Sequence, residues 1–268
     1  VARKHWLEAL LPAYALGVRM RFTESSNPGF FHQATLTAWL RTILGSPDDY
    51  GLCLWCETPE QGHRRFRAGE AYRFVVFGCG ERGLELLQAL PDAVRRNRGR
   101  FDAPMPFRNN WKLDALEHWS SGEAVAPDAA IATALDANIL EKYVADLQRS
   151  DSLLIRFISP WRVLRAQNKR GRAKGEMRYC HDAGDLSDGL WLTRMDDSLR
   201  RLAEARGVSP PEPPASSPDT EIHMFYVNAA YRNGRTMIRW LCWQRGAFWA
   251  SVSAACSGWV AIACWVPE

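Results

Sequence analysis

The residues of this chain best suited to chemistry are its arginines and one histidine. Of 34 basic residues 29 are Arg, and they gather in three dense segments. The first holds Arg64, Arg65, Arg67 and Arg73, and the second Arg95, Arg96, Arg98 and Arg100. The third runs from Arg162 through Arg165, Lys169, Arg170, Arg172 and Lys174 to Arg178, broken by one acid, Glu176. A planar guanidinium takes a phosphate with two parallel hydrogen bonds and stacks on exposed bases, which an ammonium does less well. The partner this implies is nucleic acid; for any single segment the alternative is a solvated face.

His32 is the best candidate for a base. Ser26-Asn27-Pro28 reads as a helix start, with Asn27 as cap and proline in the first turn, and Gly45 closes that helix. A helix N-terminus disfavours the imidazolium, so a ring near it stays neutral and able to accept a proton near pH 7. Against this, His32 stands four residues before Leu36, on the stripe that packs, where a histidine with a satisfied hydrogen bond is common. Arg19 and Arg21 alternate with Val18, Met20 and Phe22 and so fall on the opposite face of a strand, while Arg41 lies on the first helix. Each suits stabilising developing negative charge, or an ordinary ion pair. His5, His63, His118, His181 and His223 lie in no ligand spacing, so neither a metal nor a cofactor is expected. Cys53 and Cys56 form a lone CxxC inside an apolar run and read as a buried pair of small residues.

These groups need a scaffold, and 268 residues with 47% hydrophobic content can supply a sizeable core. The net charge of +4 is modest because 30 acids offset the bases, so any electrostatic attraction is local. Seven cysteines, an odd number, without a disulfide-like framework point to a reducing setting. Arg3, Lys4 and Glu8 interrupt the first apolar stretch, which argues against a signal peptide and for the cytoplasm. The uncharged tail, 247–267, is broken by Ser257-Gly258 and reads as a terminal strand pair, with no membrane anchor expected.

Along the chain, alternation predicts a strand over 14–23. A helix follows to Gly45, with Leu36, Leu40, Ile43 and Leu44 at helical spacing. Strands are expected at 52–56 and 72–78, flanking the basic loop of Arg64 to Arg67, then an amphipathic helix over 84–98. Strand, helix, strand, strand, helix is the order of a ferredoxin-like split βαβ unit. From 109 to 149 the pattern reads as helical, with Pro127-Asp128 as a cap. A strand over 153–158, the third basic segment, a helix over 190–205, a proline-rich loop at 210–218 and strand-like segments from 222 onward make a second αβ domain. The expected fold class is α+β, with tandem ferredoxin-like domains at 1–150 and 151–268, a helical insertion closing the first and a basic insertion in the second.

Phe30-Phe31-His32-Gln33, opening a helix after an N-terminal strand and followed by Trp39-Leu40-Arg41, resembles the CRISPR-associated endoribonucleases that cut precursor CRISPR RNA within its repeats. Phe157-Ile158-Ser159-Pro160-Trp161-Arg162 is similar to the strand and proline that begin the second domain of that family, part of the RAMP superfamily. Among its subtypes the arginine-rich enzyme of type IV systems is the nearest match. The resemblance implies metal-independent cleavage of repeat RNA to a 2′,3′-cyclic phosphate and a 5′-hydroxyl, with CRISPR repeat RNA and other effector subunits as partners. It places His32 at the family's usual histidine, with Arg21 and Arg41 as charge stabilisers. Arg19, Arg64, Arg65, Arg67 and the basic residues of 162–178 become RNA-binding candidates, the last group suited to the phosphates of an A-form stem. The family's glycine-rich RNA-contacting loop has no counterpart here, where Gly246 and Gly258 stand nearly alone among Trp and Cys. A non-catalytic CRISPR RNA-binding subunit is the rival reading.

Overall fold

The computed structural model describes residues 11–27, 32–45, 53–58, 65–97, 110–149, 152–156, 197, 200–201, 203–204, 207–209, 219–225, 229–233, 236–240 and 243–249. The chain divides into two compact units, Val1–Ile139 with Arg201–Pro210, and Leu140–Arg200 with Pro211–Glu268.

In the first unit β1 (Ala13–Phe22), α1 (His32–Leu44), β2 (Leu54–Glu57), β3 (Ala71–Cys79), α2 (Gly80–Arg96) and β4 (Trp111–Glu117) follow one another. The strands pair in the order β2-β3-β1-β4, all antiparallel, which is the ferredoxin-like arrangement. Strict alternation makes β1 its centre: Leu16, Val18, Met20 and Phe22 are buried on one face, where Leu36, Trp39 and Leu40 of α1 and Leu86, Leu87, Leu90 and Val94 of α2 complete the core. Trp39 meets Trp111 edge to face at 5.3 Å and ties α1 to β4. Gly45, at φ +66°, ends α1 as expected. Of the expected start signal, Asn27 is described and Pro28 falls among residues 28–31, which lie outside the described residues.

The reading of 109–149 as helical is corrected. Only α3 (Ala137–Arg149) is helical there; β4, β5 (Ala124–Val125) and β6 (Ile131–Leu135) occupy the rest, and Pro127-Asp128 begins a 3₁₀ turn, Pro127–Ala129. β4 supplies the fourth strand that the expected order lacked. It pairs with Gly17–Phe22 of β1, and β6 pairs with Ala13–Leu16 along the same edge. The pattern misleads because β4 is bulged: Leu113 pairs with Met20 and Ala115 with Arg19, leaving Asp114 as the extra residue.

In the second unit β7 (Ser152–Arg156) and β8 (Asp219–Phe225) flank β11 (Trp243–Trp249), each antiparallel to it. That is the relation of first, third and second strands in a ferredoxin-like unit. β9 (Ala229–Asn233) and β10 (Thr236–Trp240) pair with each other between β8 and β11 in the chain. Residues 157–196, including the expected helix start at 190, and the tail beyond Trp249 lie outside the described residues. Among the described residues no helix is long and apolar enough to cross a membrane.

α2 follows β3 without a loop, and its first turn lies backbone against backbone on the strand. A Cβ at Gly83 would stand 2.5 Å from the Gly78 carbonyl carbon and 2.8 Å from the Cys53 oxygen. Gly83→Ala is therefore expected to destabilise the protein by about 1–3 kcal/mol, the usual cost of overpacking, measured by denaturant unfolding; an unchanged midpoint would show that helix and strand can separate freely.

Candidate nucleic-acid interface

The face of the first sheet opposite the core is charged in the half around the C-terminal end of β1, and apolar in the other half, where Ala15, Trp55 and Phe77 are buried. Arg19 pairs in register with Arg73, and Arg21 with Lys112, so four cations occupy neighbouring positions on β1, β3 and β4. Like charges directly opposite repel, and two carboxylates from β4 offset them. Arg19 Nε donates to Asp114 Oδ2 at 2.8 Å, and Arg21 clamps the same carboxylate through Nε to Oδ1 at 3.2 Å and Nη2 to Oδ2 at 2.8 Å. The bulge makes this possible, because the extra residue turns to the outer face between the two guanidiniums.

Glu117 is the second carboxylate. Its Oε1 lies 2.7 Å from Arg19 Nη1 and 3.4 Å from Arg73 Nε, with its side chain 4% exposed. Oε1 accepts no aligned hydrogen bond, so the guanidiniums act on it as charges. Gly17 opposite allows the approach: a Cβ there would stand 2.6 Å from the Glu117 carbonyl oxygen and 3.0 Å from its Cβ. At the β2 end of the face, burial pushes the Glu57 carboxyl above its ordinary value.

A groove of about 940 Å³ opens beyond the C-terminal end of β1. It lies between Ser25, Ser26 and Asn27 on one side and Arg65 to Ala68 with Glu70 on the other. Ser26 and Phe66 exchange two main-chain hydrogen bonds of 2.8 Å across its base. The Phe66 ring turns inward against Phe22 at 5.1 Å and Tyr72 at 5.4 Å. Arg21 Nη1 donates to the Gly69 carbonyl at 2.7 Å and so joins the charged face to the groove loop.

Of the expected site residues, the structure gathers Arg19 and Arg21 on one carboxylate, and Arg65 and Arg67 in the groove. His32 is the first residue of α1, ten positions beyond the end of β1. Arg41 lies in the last turn of the same helix, roughly 13 Å along the axis from His32 at 1.5 Å per residue. The helix therefore does not bring these two together. Arg64, Arg162, Arg165, Lys169, Arg170, Arg172, Lys174 and Arg178 lie outside the described residues. Cys53, Cys56 and Cys79 are buried and form no disulfide, and among the described residues no three His, Cys, Asp or Glu side chains cluster as metal ligands would. Asp114 and Glu117 were not singled out by the sequence, and Ser26 only as part of a helix-start signal; Asp114 is 95 residues from Arg19, and no local spacing signals such a pair.

No family model and no curated protein matches the sequence. Solved structures do match. A chain of a partial Cas6-RT-Cas1–Cas2 complex aligns with a TM-score of 0.57 at 20% identity, over 96% of this chain and 43% of that one. A chain of the Cas6-RT-Cas1–Cas2 complex gives the same score and identity over 96% and 27%. What they share is a fold. It is α+β, as expected, and this chain spans less than half the length of either. A Cas6 substrate mimic complex aligns at 0.48 and 15% identity, over 94% and 89%.

The hydrogen bonds from Arg21 hold the Asp114 carboxyl below its ordinary value; burial opposes them, and the charge of Arg21 with the hydrogen bond and charge of Arg19 adds to them. A carboxyl whose folded value is lowered contributes stability above its unfolded value, near 3.8, and loses it as pH falls through the folded value. Asp114→Asn is thus expected to be less stable than the wild type at pH 7, with the gap closing below about pH 3.8. Thermal unfolding across pH measures this, and a gap independent of pH would show that charge is not what Asp114 contributes.

Proposed function

We propose that the chain is a metal-independent endoribonuclease that binds the stem-loop of CRISPR repeat RNA and cuts the precursor to mature CRISPR RNA. The ends left are a 2′,3′-cyclic phosphate and a 5′-hydroxyl, and the enzyme stays on its product beside other effector subunits. The observation that carries this reading is His32 opening α1 directly after the first strand, in a chain whose fold follows Cas6-containing chains over 96% of its length. The matching motifs Phe30-Phe31-His32-Gln33 and Phe157-Ile158-Ser159-Pro160 support it, as does the surplus of guanidiniums. The arginine share, 29 of 34 bases, supports the type IV form. Three buried cysteines that form no disulfide fit a reducing, cytoplasmic setting.

In this mechanism the neutral imidazole of His32 takes the proton of a ribose 2′-hydroxyl. The 2′-oxygen attacks the adjacent phosphorus and the bond to the 5′-oxygen breaks, that oxygen leaving with a proton from a general acid. Guanidiniums stabilise the charge that gathers on the phosphoryl oxygens. Arg21 would need to exchange part of its hold on Asp114 to take such a role, whereas Arg65 and Arg67 are exposed.

Cleavage of a repeat RNA is expected to proceed in EDTA and to stop when the 2′-hydroxyl at the cut site is replaced by hydrogen. A 3′-hydroxyl product or strict dependence on magnesium would sink the reading. Tight binding of the repeat without any cleavage would instead favour the non-catalytic CRISPR RNA-binding subunit.

His32→Ala is expected to slow cleavage by about a hundredfold or more, the usual reach of general base catalysis, with repeat binding and melting temperature nearly kept. Loss of fold along with rate would make His32 a packed helix residue. A wild-type rate in His32→Ala beside a dead Arg21→Ala or Arg41→Ala would transfer catalysis to arginine.

A further inference from the structure

The groove beyond β1 has a composition that its place in the fold does not require. Arg65 and Arg67 are exposed on one wall. Glu70, on the same wall, accepts the Arg67 main-chain N–H at 2.8 Å. Among the described residues, two guanidiniums against one carboxylate leave a single positive charge, which matches one phosphodiester. Ser26 lines the groove at 6% exposure, and its Oγ is buried with no hydrogen-bond partner. A buried hydroxyl left unpaired is costly and calls for an explanation. A ligand hydroxyl, donor and acceptor at once, would satisfy it.

The volume, about 940 Å³, lies within the 300–1,000 Å³ range of sites for drug-sized molecules. It exceeds what one phosphate needs. A groove of this volume between two short segments takes in a nucleotide and is too small to enclose a duplex. The inward turn of Phe66 removes the ring on which a base would stack, so recognition falls to polar groups.

We propose that this groove seats one unstacked nucleotide of single-stranded RNA, with Arg65 and Arg67 on its phosphodiester and Ser26 on its ribose 2′-hydroxyl. The nucleotide would belong to the strand flanking the repeat stem, an assignment that rests on the endoribonuclease reading above. The seat for single-stranded RNA stands without it. The 2′-hydroxyl is what separates RNA from DNA at such a site.

The test uses the full chain with a fluorescent single-stranded hexauridylate, its deoxy counterpart and a blunt RNA hairpin without flanks. Arg65→Ala with Arg67→Ala should weaken hexauridylate binding about tenfold and flatten the slope of log K against log salt by about 0.7, one phosphate's share for a single strand, with a smaller loss on the hairpin. Glu70→Gln keeps the acceptor but removes the opposing charge and should tighten binding severalfold, which misfolding cannot do. Ser26→Ala should narrow the preference for hexauridylate over its deoxy counterpart. Equal losses on hexamer and hairpin, no tightening in Glu70→Gln, or an unchanged ribose preference in Ser26→Ala would each overturn the assignment. Repeat cleavage by the wild type, run alongside, separates the two readings. A chain that cuts but shows no groove effect fails this inference alone, and groove effects in a chain that does not cut fail the endoribonuclease reading alone.

Discussion

The outer face of the first sheet depends on one inserted residue. Arg19, Arg21, Arg73 and Lys112 stand at neighbouring strand positions, where unscreened like charges cost stability. Asp114 reaches two of them because it is the extra residue of the β4 bulge, on the outer face that alternation from Trp111 and Leu113 gives it, while the bulge resets the phase so that Leu116 faces the core. One backbone irregularity thereby keeps three conditions together: Trp111 and Leu113 stay on the core side, Leu116 returns to it, and the carboxylate lands between two guanidiniums. Gly17 completes the arrangement by leaving room for Glu117 against β1.

That clamp is also a mechanical link. Arg21 holds Asp114 with one edge of its guanidinium and the Gly69 carbonyl with another, so the sheet's charge and the groove loop share a residue. From the other face, Phe22, Phe66 and Tyr72 tie the same loop to the core. The groove loop is fixed on both sides of the sheet by β1, with Arg65 and Arg67 presented on its solvent side. A rigid loop carrying exposed guanidiniums is better preorganised for an anion than a free one, since less freedom is lost on binding.

Legibility in the sequence followed how local each signal was. β1 shows period two from Val18 to Phe22, and α1 and α2 carry apolar residues at helical spacing, so these elements and the charged face of β1 could be read directly. β4 could not: its core positions are 111, 113 and 116, a spacing closer to a helix than a strand because the bulge inserts a residue. β5 is too short to carry a pattern, and Pro127-Asp128 starts a 3₁₀ turn with the chemistry of a helix start. The arginines of the interface were visible as a type and as a face. Their carboxylate partners lay about a hundred positions away and became evident only through pairing.

β1 is bonded to strands that are made long after it. Its neighbours are β3 at Ala71–Cys79, β4 at Trp111–Glu117 and β6 at Ile131–Leu135, so the strand at the centre of the sheet leaves the ribosome before all of its partners and must wait for them. At roughly 5–20 residues per second, about 6–23 seconds separate the synthesis of Phe22 from that of Leu135. During that interval a ten-residue apolar and basic strand lacks at least one edge, both until β3 is made and then the one that β4 and β6 fill. The order of manufacture thus sets a period in which the future centre of the sheet must be kept from pairing with another chain, a burden that falls on chaperones or on the crowding of its own early helix.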